Sequence, residues 1–239
     1  MAAKSRTIET YEALRQRLLD GVYPPQKKLR IDQISKEMEV SPGAVREALA
    51  RLTSDGLVVS EPQRGFVTAP ISVADLTDLT SVRVEIELNC LRRSIRLGDL
   101  EWEGKIKSIW HQLERTPTRS ETNPTAFNPR WSDLHAAFHD SLISACDSKW
   151  RLKLRDQMFT QAERYRRLLL PYTKIQRDPH EEHKSIAEAV LARDADLACN
   201  LLAQHLNKTA DILLSSDAPF SDVPRASVQP VANTLTEDQ

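Results

Sequence analysis

No run of residues in this 239-residue chain approaches the ~18 consecutive apolar positions that a membrane-spanning helix requires. The opening, MAAKSRTIETYEALR, also lacks the apolar core of a secretory signal. Cysteine is scarce. Cys90, Cys146 and Cys199 are far apart, odd in number and never arranged as C-x-x-C, which argues against a disulfide framework and for a reducing cytosol. A cytoplasmic protein with no membrane partner is therefore expected. Net charge is nearly absent as well, at −1. Its distribution is uneven: residues 1–70 carry 11 Lys and Arg against 9 Asp and Glu, and the remainder 22 against 25. Any contact with nucleic acid is thereby confined to a local patch near the N-terminus. What is present, 40% hydrophobic and 28% charged residues, suits a globular chain long enough for two domains.

Local signals are dense in the first 70 residues. TIETYEALRQRLLDG spaces Ile8, Tyr11, Leu14 and Leu18 as a helical stripe and stops at Gly21. The prolines of VYPPQKKL exclude a helix there. RIDQISKEMEV sets Ile31, Ile34 and Met38 on one side of a short helix. In SPGAVREALARLTSDG, Ser41 stands as N-cap and Pro42 as first helical residue, with Val45, Leu49 and Leu52 inward and Gly56 as the stop. LVVSEPQRGFVTAP is two β-rich runs about a turn holding Pro62 and Gly65, hence a hairpin. Together these elements make a winged helix-turn-helix.

Its second helix is expected in the major groove of double-stranded DNA, with its first turn nearest the bases. The exposed residues there are Ser41, Gly43, Ala44, Arg46 and Glu47. Arg46 lies opposite the inward stripe and can reach a base edge or a phosphate; a bidentate Arg–guanine contact discriminates by ~1–3 kcal/mol. The alternative is a surface ion pair with Glu47 or Asp55. Ser41 and the helix N-terminus suit a phosphate oxygen. Arg64 and Gly65, at the hairpin tip, suit a wing lying on the backbone or in the minor groove.

After Ile71, strand signals and internal repeats are both missing, and only helical periodicity remains. Helices are expected over 72–97, 99–115, 129–146, 148–170, 180–192 and 194–214, with a polar loop at 116–129 and a disordered tail over 215–239. RWSDLHAAFHDSL places His135 and His139 four apart on one helix face, as many zinc sites begin. The hydrolytic version carries a glutamate between the histidines; here two alanines follow His135. His183 falls in the stripe of Ile186, Ala187 and Val190, and His205 shares a face with Ala198, Leu201 and Ile212. Three helices thus each turn histidine into apolar interior. That is costly unless the imidazoles share a partner, which a metal supplies. The first turn holding His180, Glu181 and Glu182 is expected to face outward, and neither His180 nor His111 is given a role.

Two resemblances follow from these stretches. YEALRQRLLDGVYPPQKKLRIDQISKEMEVSPGAVREALARLTSDGLVVSEPQRGFVTAP resembles the DNA-binding domain of the GntR family of bacterial transcription regulators. The family often has arginine directly after the recognition-helix serine; this chain has Pro42, so operator preference does not carry over. The helical half, about residues 73–214, is similar to the FCD ligand-binding domain of the FadR-type branch, through RVEIE, HAAFHDSL, EEHKSIAEAVLARD and ACNLLAQHL. The resemblance implies a mainly α fold: a winged helix-turn-helix over 1–70, then an all-helical antiparallel bundle over 71–214 that binds an effector and dimerises. Many members hold a divalent metal through an Asp and a His four apart and two further histidines. His139, His183 and His205 match those histidines, and His135 stands at the aspartate position.

Four imidazoles suit Zn²⁺ or Ni²⁺. A dication among neutral ligands keeps its full charge and attracts an anionic effector, with Arg83 as second anion anchor. The alternative for Arg83 is an i,i+4 salt bridge to Glu87. The expected protein is not an enzyme but a homodimeric regulator, a repressor, bound to an inverted-repeat operator and controlled by a small organic acid or sugar acid. The competing readings are a regulator whose signal is the metal ion itself, and a zinc-dependent hydrolase.

Overall fold

Leu14 and Leu18 of the first helix, α1 (Arg6–Leu19), are buried against Val45, Leu49 and Leu52 of α3 (Pro42–Ser54), and this pair is the centre of the N-terminal core. The computed structural model describes residues 6–122, 126–173, 179–218 and 220. Ile8, expected in the same stripe, is 40% exposed. At about 100° per residue it lies roughly 120° round the helix from Leu14, and Thr10, donating to the Arg6 carbonyl, takes the inward place. Helix α2 (Ile31–Met38) buries Ile34 and packs on α3. Ser41 caps α3 by accepting from the Ala44 N–H at 3.2 Å, with Pro42 at the first position; such a cap contributes about 1 kcal/mol.

The wing is the antiparallel pair β1 (Val58–Glu61) and β2 (Gly65–Thr68), with Glu61 opposite Gly65 at the tip. Gly65 has φ +78°, a left-handed conformation that favours glycine. The connection before α2 joins this sheet, since the Leu29 N–H donates to Phe66 and Thr68 donates to Lys27.

Among the described residues six α-helices form the second half: α4 (Val73–Leu97), α5 (Leu100–Glu114), α6 (Pro129–Ile143), α7 (Lys149–Leu169), α8 (Pro179–Leu191) and α9 (Ala195–Leu214). Ser72, Asp99, Asn128 and Asp194 cap four of them through side-chain oxygens. Helix α6 stops three residues before the expected end. The Ser141 and Ser144 hydroxyls bond the Phe138 and Ser141 carbonyls, and the backbone tightens into i→i+3 turns. Helix α4 runs against α9, α7 and α6, while α5 packs on α6 and α8. Leu91, Phe138, Leu142, Ile186, Val190 and Leu202 fill the core between them. Cys90 and Cys146, distant in sequence, interact there as reduced thiols, and burial together with Cys146 pushes Cys90 up to about 12. Among the described residues no helix is long and apolar enough to cross a membrane. The tail expected over 215–239 lies for the most part outside the described residues.

Helix α7 joins the halves. Gln161 donates to the Asp55 carbonyl at 2.6 Å, Arg15 to Thr160 at 2.9 Å and Arg167 to Asp20 at 2.6 Å. Arg164 bonds the carbonyls of Ala69 and Pro70, and the Tyr165 hydroxyl donates to Asp75. Gly21 and Gly56 end α1 and α3 at this seam, both with positive φ. Their left-handed backbone favours glycine, and a Cβ would also press on the side-chain ends of Leu168 at 2.8 Å or Gln161 at 3.0 Å.

Candidate functional site

On the N-terminal domain, Ser41, Gly43, Arg46 and Glu47 are exposed on the first turns of α3, as expected. The Ser41 oxygen is engaged as a cap acceptor, which leaves its O–H free to donate to a phosphate. Neither proposed partner holds Arg46: Asp55 accepts instead from the Tyr11 hydroxyl at 2.6 Å, and Arg51 stacks on Tyr11. Arg64 stands at the wing tip beside Gly65, paired with Glu61 at 2.5 Å and still more than half exposed.

In the helical domain the four histidines converge. His135 and His139 come from α6, His183 from α8 and His205 from α9; all are buried, and one ligand nitrogen from each lies within 4.8 Å of the others. The Nε2 atoms of His135 and His139 are 3.2 Å apart. Metal–nitrogen bonds of about 2.0–2.1 Å would set tetrahedral ligands about 3.3 Å apart, so this pair already has the spacing of a shared ion. Burial, then the neighbouring imidazoles and arginines, hold His135 and His139 well below the ordinary 6.5, which keeps them neutral and able to ligate at pH 7.

Glu182 corrects the expectation for its turn. Glu181 is exposed, but Glu182 turns inward, accepting from His205 Nδ1 at 3.0 Å and from Lys208 at 2.7 Å. With Nδ1 donating, the lone pair of His205 is left on Nε2, the arrangement by which a carboxylate orients a metal-binding imidazole. His180 is likewise not exposed: it is half-buried, with Nε2 3.2 Å from the Thr118 hydroxyl. His111 accepts from Arg115, the residue that follows its own helix.

The histidines form part of the wall of a cavity of about 550 Å³. Arg83 lines it from α4, and its Nε lies 3.2 Å from Glu87, the i,i+4 salt bridge expected as the alternative for this residue. Glu87 is fully buried and also faces Arg155 at 3.2 Å, itself paired with Asp140. Further round, Phe127, Trp131 and His135 stack in turn, at 5.3 and 4.7 Å between centroids, and the Arg166 guanidinium lies 3.8 Å over Phe127. Glu163 accepts from Arg166 at 2.5 and 2.8 Å and from Arg167 at 2.8 Å. Burial raises the Glu163 carboxyl, but the two arginines outweigh it and hold it below the ordinary carboxylate value.

Arg166, Glu163, Arg119, Phe127 and Glu182 were not anticipated from the sequence. Phe159, Ala162, Glu163 and Arg166 do recur at helical spacing, a signal for one face of α7, but nothing local says that this face meets a cavity.

A winged helix with an exposed recognition helix, locked through one long helix to a helical bundle around a cavity, is the architecture of a one-component DNA-binding regulator. The chain belongs to the gntR family of bacterial regulatory proteins: residues 7–67 match that family and residues 78–208 match the FCD domain. It is a DNA-binding transcription regulator and not an enzyme. It is 35% identical to the uncharacterized HTH-type transcriptional regulator BphR of Paraburkholderia xenovorans, over 85% of this chain and 83% of that protein. It is 29% identical to the HTH-type transcriptional repressor GlaR of Escherichia coli, over 84% and 92%. Among solved structures, a GntR family member from Pseudomonas syringae pv. tomato aligns at 25% identity and TM-score 0.52, over 87% of this chain and 84% of that one. E. coli McbR/YncC shares the fold at TM-score 0.73 and 17% identity, over 88% and 98%.

Proposed function

We propose that this regulator is a homodimeric repressor whose helical domain holds a divalent metal, Zn²⁺ or Ni²⁺, and whose operator affinity changes when a small carboxylate, an organic or sugar acid, enters the cavity. The observation that carries the reading is the meeting of four buried histidines at the wall of a cavity that an arginine also lines. His135, His139, His183 and His205 would hold the ion, and Glu182 would orient His205. The bound ion would supply positive charge and a coordination position facing the cavity. Arg83, anchored by Glu87, offers the rest of its fork to the same carboxylate. A 29% identical relative is named a repressor, which supports the sign of regulation. A twofold dimer would read an inverted-repeat operator through two α3 helices, each with Arg46 at the bases and Arg64 with Gly65 on the flanking backbone.

The competing reading, in which the ion alone is the signal, gives no use to a cavity of about 550 Å³ beside the histidines. Operator affinity measured with chelator, with metal, and with metal plus candidate acids separates the two. The carboxylate reading expects metal alone to leave affinity nearly unchanged and an acid to shift it by about 5–150-fold. A full response to metal alone would replace it with the ion-signal reading.

A further inference from the structure

Arg83 is not the only guanidinium whose use is incomplete. Arg166 gives Nε and Nη2 to Glu163, but its Nη1 is buried in the cavity wall with no hydrogen-bond partner. Its side chain is 11% exposed, close to the 12% of Arg83. Each arginine is thus held by a glutamate on its own helix, and each retains donors that this pairing does not use. A buried charged donor without an acceptor is costly, and a ligand oxygen would remove that cost.

The two groups serve different regions of the cavity. Arg83 lies over Phe159, and Arg166 lies over Phe127 and near Trp131. Phe159 and Arg166 are seven residues apart on α7, about 10 Å along its axis. Arg119 adds a third positive charge beside Arg166, over the same Phe127 ring. One carboxylate at the Arg83 end leaves Arg166 Nη1 without an acceptor.

We infer that Arg166 is a second arginine anchor beside Arg83 and that the effector carries two anionic groups, as an α,ω-dicarboxylic acid does, with its carbon body against the aromatic wall between the anchors. This rests on the carboxylate reading and narrows it.

The test is calorimetric titration of the zinc-loaded full-length protein with succinate, glutarate and adipate, each against its monoacid of equal length: butyrate, pentanoate and hexanoate. At least one diacid should bind about tenfold or more tightly than its monoacid, the size of one charge-assisted contact. Arg166→Gln should remove that advantage while leaving monoacid affinity and zinc content as in the parent. Should this variant fold poorly because Glu163 loses a partner, the double variant Glu163→Gln/Arg166→Gln leaves no such charge and should show the same loss. Equal binding of diacids and monoacids by the parent overturns the second anchor and leaves the carboxylate reading in place. So does an equal loss of both acid types in the variants, which would make Arg166 structural. Failure of every acid to bind the parent overturns both.

Discussion

Arg167 donates to Asp20 at 2.6 Å across the seam between the two halves, while its Nε holds Glu163 in the cavity wall at 2.8 Å. A side chain of the cavity and a side chain at the end of α1 are therefore joined through one guanidinium. The pair is partly exposed, so its net contribution to stability is below about 1 kcal/mol. Asp20→Asn should accordingly leave the thermal midpoint and basal operator affinity near the parent values. The shift in operator affinity on adding effector should shrink, with effector binding itself preserved. Operator titrations with and without acid, beside a direct acid-binding measurement, decide this; an undiminished shift would remove Arg167 from the coupling.

Glu182 is not one of the four candidate metal ligands and acts on the candidate metal centre through His205. Glu182→Ala should lower metal affinity by about 10–100-fold, with Glu182→Gln closer to the parent because it keeps an acceptor oxygen. Competition against a chromophoric chelator measures both variants. Equal affinities in all three proteins would make the Glu182–His205 contact incidental.

At the DNA end, Arg46→Ala should weaken specific operator binding by ~1–3 kcal/mol while the fold persists. Arg64→Ala should weaken binding to all sequences alike and reduce the salt dependence. Comparing operator with scrambled duplex at matched salt distinguishes them. Parent-like operator affinity in the Arg46 variant would show that the register proposed for α3 in the groove is wrong.

Replacing His183 or His205 by alanine removes one nitrogen of four. Metal content should fall, and the metal-dependent rise in thermal midpoint should fall with it, since the ion stabilises only the folded state. Basal operator binding should survive, because α3 and the wing form a separate core. The effector response should disappear. Were it to persist in metal-free variants, the four imidazoles would be core residues and nothing more.

Acid should destabilise the metal-free protein. His135 and His139 are held below 6.5 when folded, so below that pH the unfolded chain binds more protons. Their contribution is present above about 6.5 and is lost as pH falls further toward the folded-state values. Denaturant midpoints of chelated protein should therefore drop between about pH 7 and about pH 5. The drop should be smaller in His135→Gln/His139→Gln; an identical drop would assign it to other groups.

The winged helix was legible in the sequence because its signals are local. Ser41 and Pro42 start α3, Gly56 ends it, and Gly65 turns the wing, each through a conformational preference that operates within a few residues. The histidines were legible for the same reason, as positions on apolar helical stripes. Ile8 shows the limit of that reading, since a stripe can be drawn through it although packing selects a neighbouring face. Tertiary structure alone decided that Glu182 meets His205, that Arg166 and Phe127 join the cavity, and that Arg167 reaches Asp20. These contacts cross from one helix or loop to another far away in sequence. Periodicity records which face of a helix is apolar, but how the helices rotate and slide against one another is set by the packing of all their side chains at once.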